Sequence, residues 1–290
     1  AERARSEATR PTFPRRRGPV RATKQPTRGA SAGARGRNKR ARRRDTRSRP
    51  PRVSHLSGHT DAGQVATMDG LLAGLTSPQM KSRMTAVDDL QDYLERNEVT
   101  DRDDAHVLAD AVATLLKENN AKVCGGALTC ACLAVQGSPD LFRQHVPLFL
   151  PGVFDRLGDL KGPVREGARN LLVSLLELRV TPPADVFGKA SAGWRHKNWR
   201  VREELLRTCE RAFASDALSE SDLSVKATLP QVLNALEDRE PGVREAATSA
   251  ILGAASRAGP AIHGMLARHT IRPGQLREIQ ARLADANLGA

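Results

Sequence analysis

Four cysteines, seven histidines and 33 acidic side chains are the groups in this 290-residue sequence able to bind a metal or move a proton. Their spacing brings few of them together. Cys130 and Cys132 stand two apart, which on a helix points them to different faces; with Cys124 and Cys209 they fall on apolar positions and read as small core residues. His106, His145, His196, His263 and His269 are dispersed, with no adjacent nucleophile or orienting carboxylate. His55 and His59 have the i, i+4 spacing of two ligands on one helix face, but Ser, Gly and Thr surround them and no third ligand follows. A solvated linker is the reading there. No Gly-rich phosphate loop follows a strand. The expectation is a non-enzyme without metal or cofactor, and so few cysteines suit a reducing compartment better than a disulfide framework.

What remains is the chemistry of charge. Lys and Arg total 46 against 33 acids, a net of +13, and 19 of those cations stand within residues 1–54 beside only Glu2, Glu7 and Asp45. That arm carries +16 and the rest of the chain −3. The arm is rich in Arg, Pro, Gly, Ala and Thr and poor in large aliphatics, so it lacks the apolar surface to offset its ordering entropy and is expected to be disordered. Lys39, Arg40, Arg42, Arg43 and Arg44 form its densest cluster. Such a polycation attracts any polyanion, whether nucleic acid, anionic lipid or an acidic protein surface. Its Arg-rich, acid-poor composition is also that of an organelle transit peptide, although Ser is sparse and no amphipathic face appears. Beginning at Ala1 rather than Met, the chain is expected to be processed or part of a longer one. No apolar run approaches the ~20 residues that span a bilayer, and 3% aromatics leaves little for stacking on single-stranded nucleic acid.

Residues 1–64 are therefore expected to form an arm and linker, and residues 65–290 a folded body. The body shows no strand-like alternation. One element recurs instead, anchored at Ser82, Val123, Val164, Val201 and Val243, with spacings of 41, 41, 37 and 42. Four residues beyond each anchor come Ala86, Ala127, Ala168, Leu205 and Ala247; eight beyond, Leu90, Ala131, Leu172, Cys209 and Ile251; twelve beyond, Leu94, Val135, Leu176, Phe213 and Ala255. Steps of four trace an apolar stripe along one helix face. Each such helix follows another apolar helix, expected over 65–75, 105–116, 139–157, 182–192 and 218–236, and a pair over 260–268 and 273–286 would cap the stack. Two helices per unit and a period near 40 predict an all-α solenoid of about six HEAT-type or armadillo-type hairpins.

In a stacked array the turns within successive hairpins line up along one edge. Here those turns hold Lys81, Lys122, Lys161, Arg195, Lys197 and Arg200, with Arg239 further on, and they adjoin helix N-termini whose partial positive charge adds to the field. The partner of such a ridge should be an acidic, fairly flat protein surface. Arg165, Arg202 and Arg244 have another expected use. Asp159 and Arg165, like Asp238 and Arg244, stand six apart at the same place in their repeats, a spacing that suggests a charge ladder between units. Trp199, between Lys197–Asn198 and Arg200, is either an interface anchor or packed beneath the neighbouring turn. Trp194 reads as core.

The segments GWRHKNWRVREELL (Gly193–Leu206), LGDLKGPVREGARNLL (Leu157–Leu172), EDREPGVREAA (Glu237–Ala247) and IRPGQLREIQARL (Ile271–Leu283) resemble the CLASP-type TOG domain, over roughly residues 65–287. The resemblance implies a module that binds αβ-tubulin or microtubules through its intra-repeat turns, in proteins of the cytoplasmic cytoskeleton, spindle or cilium. Carried onto this sequence, the contact positions are Lys81, Lys122, Lys161, Lys197, Asn198 and Arg200, with Trp199 beside them. Many TOG domains place a Trp in the first turn. This chain has Gln79-Met80-Lys81, where Met80 supplies an adaptable apolar contact. A HEAT scaffold for a different acidic protein, or a nucleic-acid binder working through the arm, are the alternatives that charge alone leaves open.

Overall fold

The computed structural model describes residues 67–188 and 191–288. The chain divides into two units, residues 1–60 and 61–290, and every described residue lies in the second. Lys39, Arg40, Arg42, Arg43 and Arg44 of the arm, and the His55/His59 pair, lie outside the described residues.

Six helical hairpins follow one another: α1 (Met68–Leu75) with α2 (Met80–Leu94); α3 (Arg102–Leu115) with α4 (Ala121–Gly137); α5 (Pro139–Phe142) and α6 (Val146–Arg156) with α7 (Gly162–Glu177); α8 (Pro183–Phe187) and a 3-10 turn (Ala192–Arg195) with α9 (Trp199–Ala214); α10 (Val225–Asn234) with α11 (Pro241–Ala258); and α12 (Ala261–Leu266) with α13 (Pro273–Asp285). No strand occurs among the described residues. The second helices α2, α4, α7, α9, α11 and α13 pack in that order, while α1, α3 and α6 make a parallel outer row. This is an all-α HEAT-repeat solenoid.

The stripe lines the core. Every residue four, eight and twelve beyond an anchor is buried, from Ala86 in α2 to Ala255 in α11. Burying one large aliphatic side chain contributes about 1.5–3 kcal/mol, so the stripe supplies much of the cohesion within each hairpin, where Ala86 meets Gly74 and Leu205 meets Gly193. Between units Val87 meets Gly126 and Leu128 meets Gly167. Small residues set how near the helices come. A Cβ on Gly253 of α11 would stand 2.8 Å from the Glu210 carbonyl oxygen of α9. Two of the second helices start at a side-chain cap: Asn120 Oδ1 accepts from Lys122 N at 2.9 Å, and Asn198 Oδ1 from Arg200 N at 3.1 Å.

The first helices depart from expectation in three places. Residues 139–157 form two helices, because Pro147 inside a continuous helix would drive its ring into the Arg143 carbonyl; the chain turns at Phe142–His145 and restarts. The helix expected from 218 begins only at Val225, since Asp222 accepts from Ser219 N and Oγ at 2.8 and 2.7 Å and holds a local turn instead. The helix expected over 182–192 stops at Phe187, one residue before Gly188, where a Cβ would lie 2.2 Å from the Ala184 carbonyl oxygen.

Candidate interaction ridge

The intra-repeat turns are bonded to one another in sequence. Arg83 Nη2 lies 3.0 Å from Glu118 Oε1, joining the first turn to the second. From the third, Arg156 reaches back with Nε to Leu116 O at 2.6 Å and Nη2 to Glu118 O at 3.0 Å. Asn198 Nδ2 donates to Gly158 O at 2.9 Å, joining fourth to third. Arg202 grips Asp238 with two bonds of 2.7 and 2.8 Å, joining fourth to fifth. Gln275 Nε2 of α13 donates to Leu236 O at 2.8 Å. Each of five corners is thereby bonded to the next.

A second regularity lies beneath. Arg83, Arg165, Arg202 and Arg244 each stand one residue after an anchor, and each donates to the backbone carbonyl six residues earlier: Ser77 at 2.7 Å, Asp159 at 2.9 Å, His196 at 2.6 Å and Asp238 at 2.8 Å. The second repeat has Cys124 at this place, and its Sγ stands 2.9 Å from the equivalent Glu118 carbonyl oxygen. The six-residue spacing thus marks an arginine that caps its own turn, rather than a bond between side chains. Between units Arg202 and Asp238 form one rung of a charge ladder, while Arg165, Arg244 and Asp159 have other partners. Arg165 pairs with buried Glu204 of the next unit at 3.2 Å, and Arg169 shares that carboxylate at 2.5 Å. The Asp159 carboxylate instead pairs with Arg156 at 2.9 Å and accepts from Lys161 N at 2.8 Å. Arg244 bonds the carbonyls of Asp238 and Arg239, while the Asp238 side chain belongs to Arg202. The Arg202 hydrogen bonds, helped by Glu240 N–H, hold the Asp238 carboxyl below its ordinary range.

With the arginines engaged, the lysines face water. Lys81, Lys122, Lys161 and Lys197 are exposed, as are Arg195 and Arg239. Lys122 Nζ lies 2.7 Å from Asp88, with both side chains about half exposed, a pairing worth little and easily exchanged. Met80 is 37% exposed in the first turn. Asn198 has both ends of its amide engaged within the chain, as cap and as bridge, which makes it a positioning residue. Trp199 is half-buried against the core, and the Arg200 guanidinium stacks on its ring at 4.6 Å. Trp194 is half-buried also, its Nε1 donating to Phe187 O at 3.1 Å. The sequence reading missed Leu160, 79% exposed in the third turn beside Lys161. A large aliphatic residue in a turn otherwise built of Gly, Asp and Lys was the available signal. Asp88, 34 residues from Lys122, gave none.

The thiols of Cys130, Cys132 and Cys209 and one histidine pair lie outside the turns of the ridge. Burial pushes the Cys130 thiol up to about 12 and raises Cys209 further. His106 and His145 lie 5.2 Å apart, and burial lowers the His145 pKa. Among the described residues no three His, Cys, Asp or Glu gather as metal ligands, and no helix is long and apolar enough to cross a membrane.

No family model matches the sequence. It is 35% identical over 224 residues to the CLIP-associated protein of Arabidopsis thaliana, a match covering 74% of this chain and 15% of that protein. The chain thus spans a small part of the length of the relatives it matches. The crystal structure of the MAST/Orbit N-terminal domain superposes with a TM-score of 0.66 at 28% identity, over 76% of this chain and 97% of that one. A domain of crescerin, described as using a TOG domain array to regulate microtubules in the primary cilium, shares the fold with a TM-score of 0.58 at 24% identity, over 74% of this chain and 88% of that one. A HEAT array of this size, with its intra-repeat turns fixed in a row, is a TOG domain. Within that class the body is of the CLASP type.

Proposed function

We propose that the TOG domain binds αβ-tubulin along its ridge and that the protein is a microtubule-associated regulator of microtubule dynamics, acting in the cytoskeleton, including the spindle or axoneme. The observation that carries this reading is the row of bonded turns, which holds Lys81, Lys122, Lys161, Lys197 and Arg239 outward while the arginines behind them are satisfied. Such an edge is complementary to a flat protein face rich in carboxylates, and Met80 and Leu160 add apolar points between the cations. Trp199 and Arg200 act as a stacked pair that stiffens the fourth turn. The module works by binding, not by catalysis. Residues 1–64 serve as a basic arm and linker, with Lys39, Arg40, Arg42, Arg43 and Arg44 adding long-range attraction to polyanions such as the acidic microtubule surface.

Co-sedimentation of residues 65–290 with microtubules, and gel filtration with free tubulin, test the ridge. Reversing Lys161 and Lys197 together to Glu should weaken binding at least about ten-fold. Unchanged binding would sink the proposal. If residues 65–290 bind neither form of tubulin but retain another acidic protein, the ridge serves a general scaffold; if all binding disappears with residues 1–54, the arm alone was responsible.

A further inference from the structure

The third and fourth hairpins enclose a groove of about 840 Å³. One wall is a single face of α6, formed by Val146, Pro147, Leu150, Pro151, Phe154 and Asp155. Those positions run i, i+1, i+4, i+5, i+8, i+9, the repeat of one helix side over three turns. Val180 and Pro182 stand opposite, with Gly193 and Val201 completing the lining.

Among the described residues the groove is a gap in the outer row. In the preceding hairpin α3 is packed against α6. The element that should cover α6 in turn is the first helix of the fourth hairpin, and α8 has only five residues. The sequence records the deficit: the anchor spacing there is 37, against 41 or 42 elsewhere. Four residues are about one helical turn. On the α6 wall Pro147 and Pro151 are exposed and Leu150 and Phe154 half-buried, while Val146 is already covered.

The charge at the rim selects what fits. Arg143 is engaged by Asp140 and by the Arg179 carbonyl, and His196 Nδ1 accepts from Asn198 N at 3.1 Å. Asp155 and Asp185 are exposed and make no ion pair with a described residue. The available charge is negative, opposite in sign to the ridge, so an acidic face suited to the ridge does not suit the groove.

We propose that this groove docks an amphipathic helix of a partner protein, apolar on one face and bearing Lys or Arg along its border. It lies beside α6 in the place that the short α8 leaves open. α6 has 11 residues, which at 1.5 Å per residue offers a track of about 16 Å. The apolar face supplies the attraction and the two carboxylates fix the sign of the partner, the helix-in-groove mode of recognition. None of the ridge lysines lines the groove.

The test uses the full chain and no tubulin, so its result is independent of the ridge proposal. A display library of helical peptides of about 14 residues is panned on the chain. Enriched peptides are then measured by fluorescence anisotropy on Ala192→Trp, which fills the groove from an exposed lining position, and on the double variant Asp155→Lys/Asp185→Lys. Circular dichroism establishes that both variants are folded. The double variant changes only exposed side chains, which guards against a misfolded Ala192→Trp. Peptides with apolar residues at i, i+3, i+4 and i+7 and flanking Lys or Arg should be enriched, and should bind each folded variant at least about ten-fold more weakly. Two outcomes overturn the proposal: no enrichment of such basic amphipathic peptides, or equal affinity for the variants and the unaltered chain.

Discussion

Arg202 and Asp238 form a bidentate pair with each side chain less than 15% exposed. Pairs this enclosed are costly to break from one side, because the remaining charge loses its partner without regaining water. Asp238→Asn should therefore destabilise the domain by about 2–3 kcal/mol, the range for a hydrogen bond to a charged group plus some desolvation, measurable as a shift in the urea midpoint. The pH dependence has a definite sign. Because the folded carboxyl lies below its ordinary value, its contribution is present above that value, near 3.9, and fades as pH falls toward the folded value. Between about pH 5 and pH 2 the unaltered chain should lose stability more steeply than Asp238→Asn. The thiols give a second check at this scale. With Cys130 pushed up to about 12 and Cys209 higher still, almost no thiolate exists at neutral pH. An aromatic disulfide reagent should leave both unmodified in the native protein and titrate both in denaturant; fast native labelling of Cys130 would contradict its burial. Residue partners were the least legible part of the sequence. Arg165 finds Glu204 39 residues away, a pairing fixed by the helix stack and by no local spacing.

Second helices were readable because several constraints agree on each of them. Pro or Asn stands at the start of every one but α2, small or aliphatic residues recur every fourth position, and the anchors repeat at a nearly fixed period. First helices carry fewer such constraints. Their prolines and local side-chain turns decide where they break, as at Pro147 and at Ser219–Asp222. The missing turn in the fourth hairpin was visible as a spacing of 37, but that it exposes a helix face depends on how α6 packs. The tightness of the second-helix row makes its own prediction. On α11, a Cβ at Gly253 would approach the Glu210 backbone at 2.8 and 3.2 Å, and backbone within a packed helix yields little. Gly253→Ala should cost about 1–3 kcal/mol, as overpacking does, even though alanine is the better helix former by up to about 1 kcal/mol. Urea unfolding of the variant decides which effect prevails: a stabilised protein would mean that α9 and α11 move apart more readily than their packing implies.

At the scale of the molecule, charge is divided between two devices of different reach. Residues 1–54 carry +16 with little apolar surface, whereas the remainder is near neutral, at −3, and spends most of its arginines internally. A polycation acts over distance and is screened by salt, with a Debye length of about 8 Å at physiological ionic strength. Ridge lysines that meet carboxylates at a dehydrated contact are screened far less. Comparing the full chain with residues 65–290 in microtubule co-sedimentation, at about 0.05 M and about 0.3 M salt, separates the two. The full chain should bind more tightly at low salt, and the difference should largely vanish at high salt. The loss caused by reversing Lys161 and Lys197 should persist at both concentrations. If binding by residues 65–290 falls with salt as steeply as binding by the full chain, the ridge does not form a dehydrated contact, and its lysines act only as part of a diffuse field.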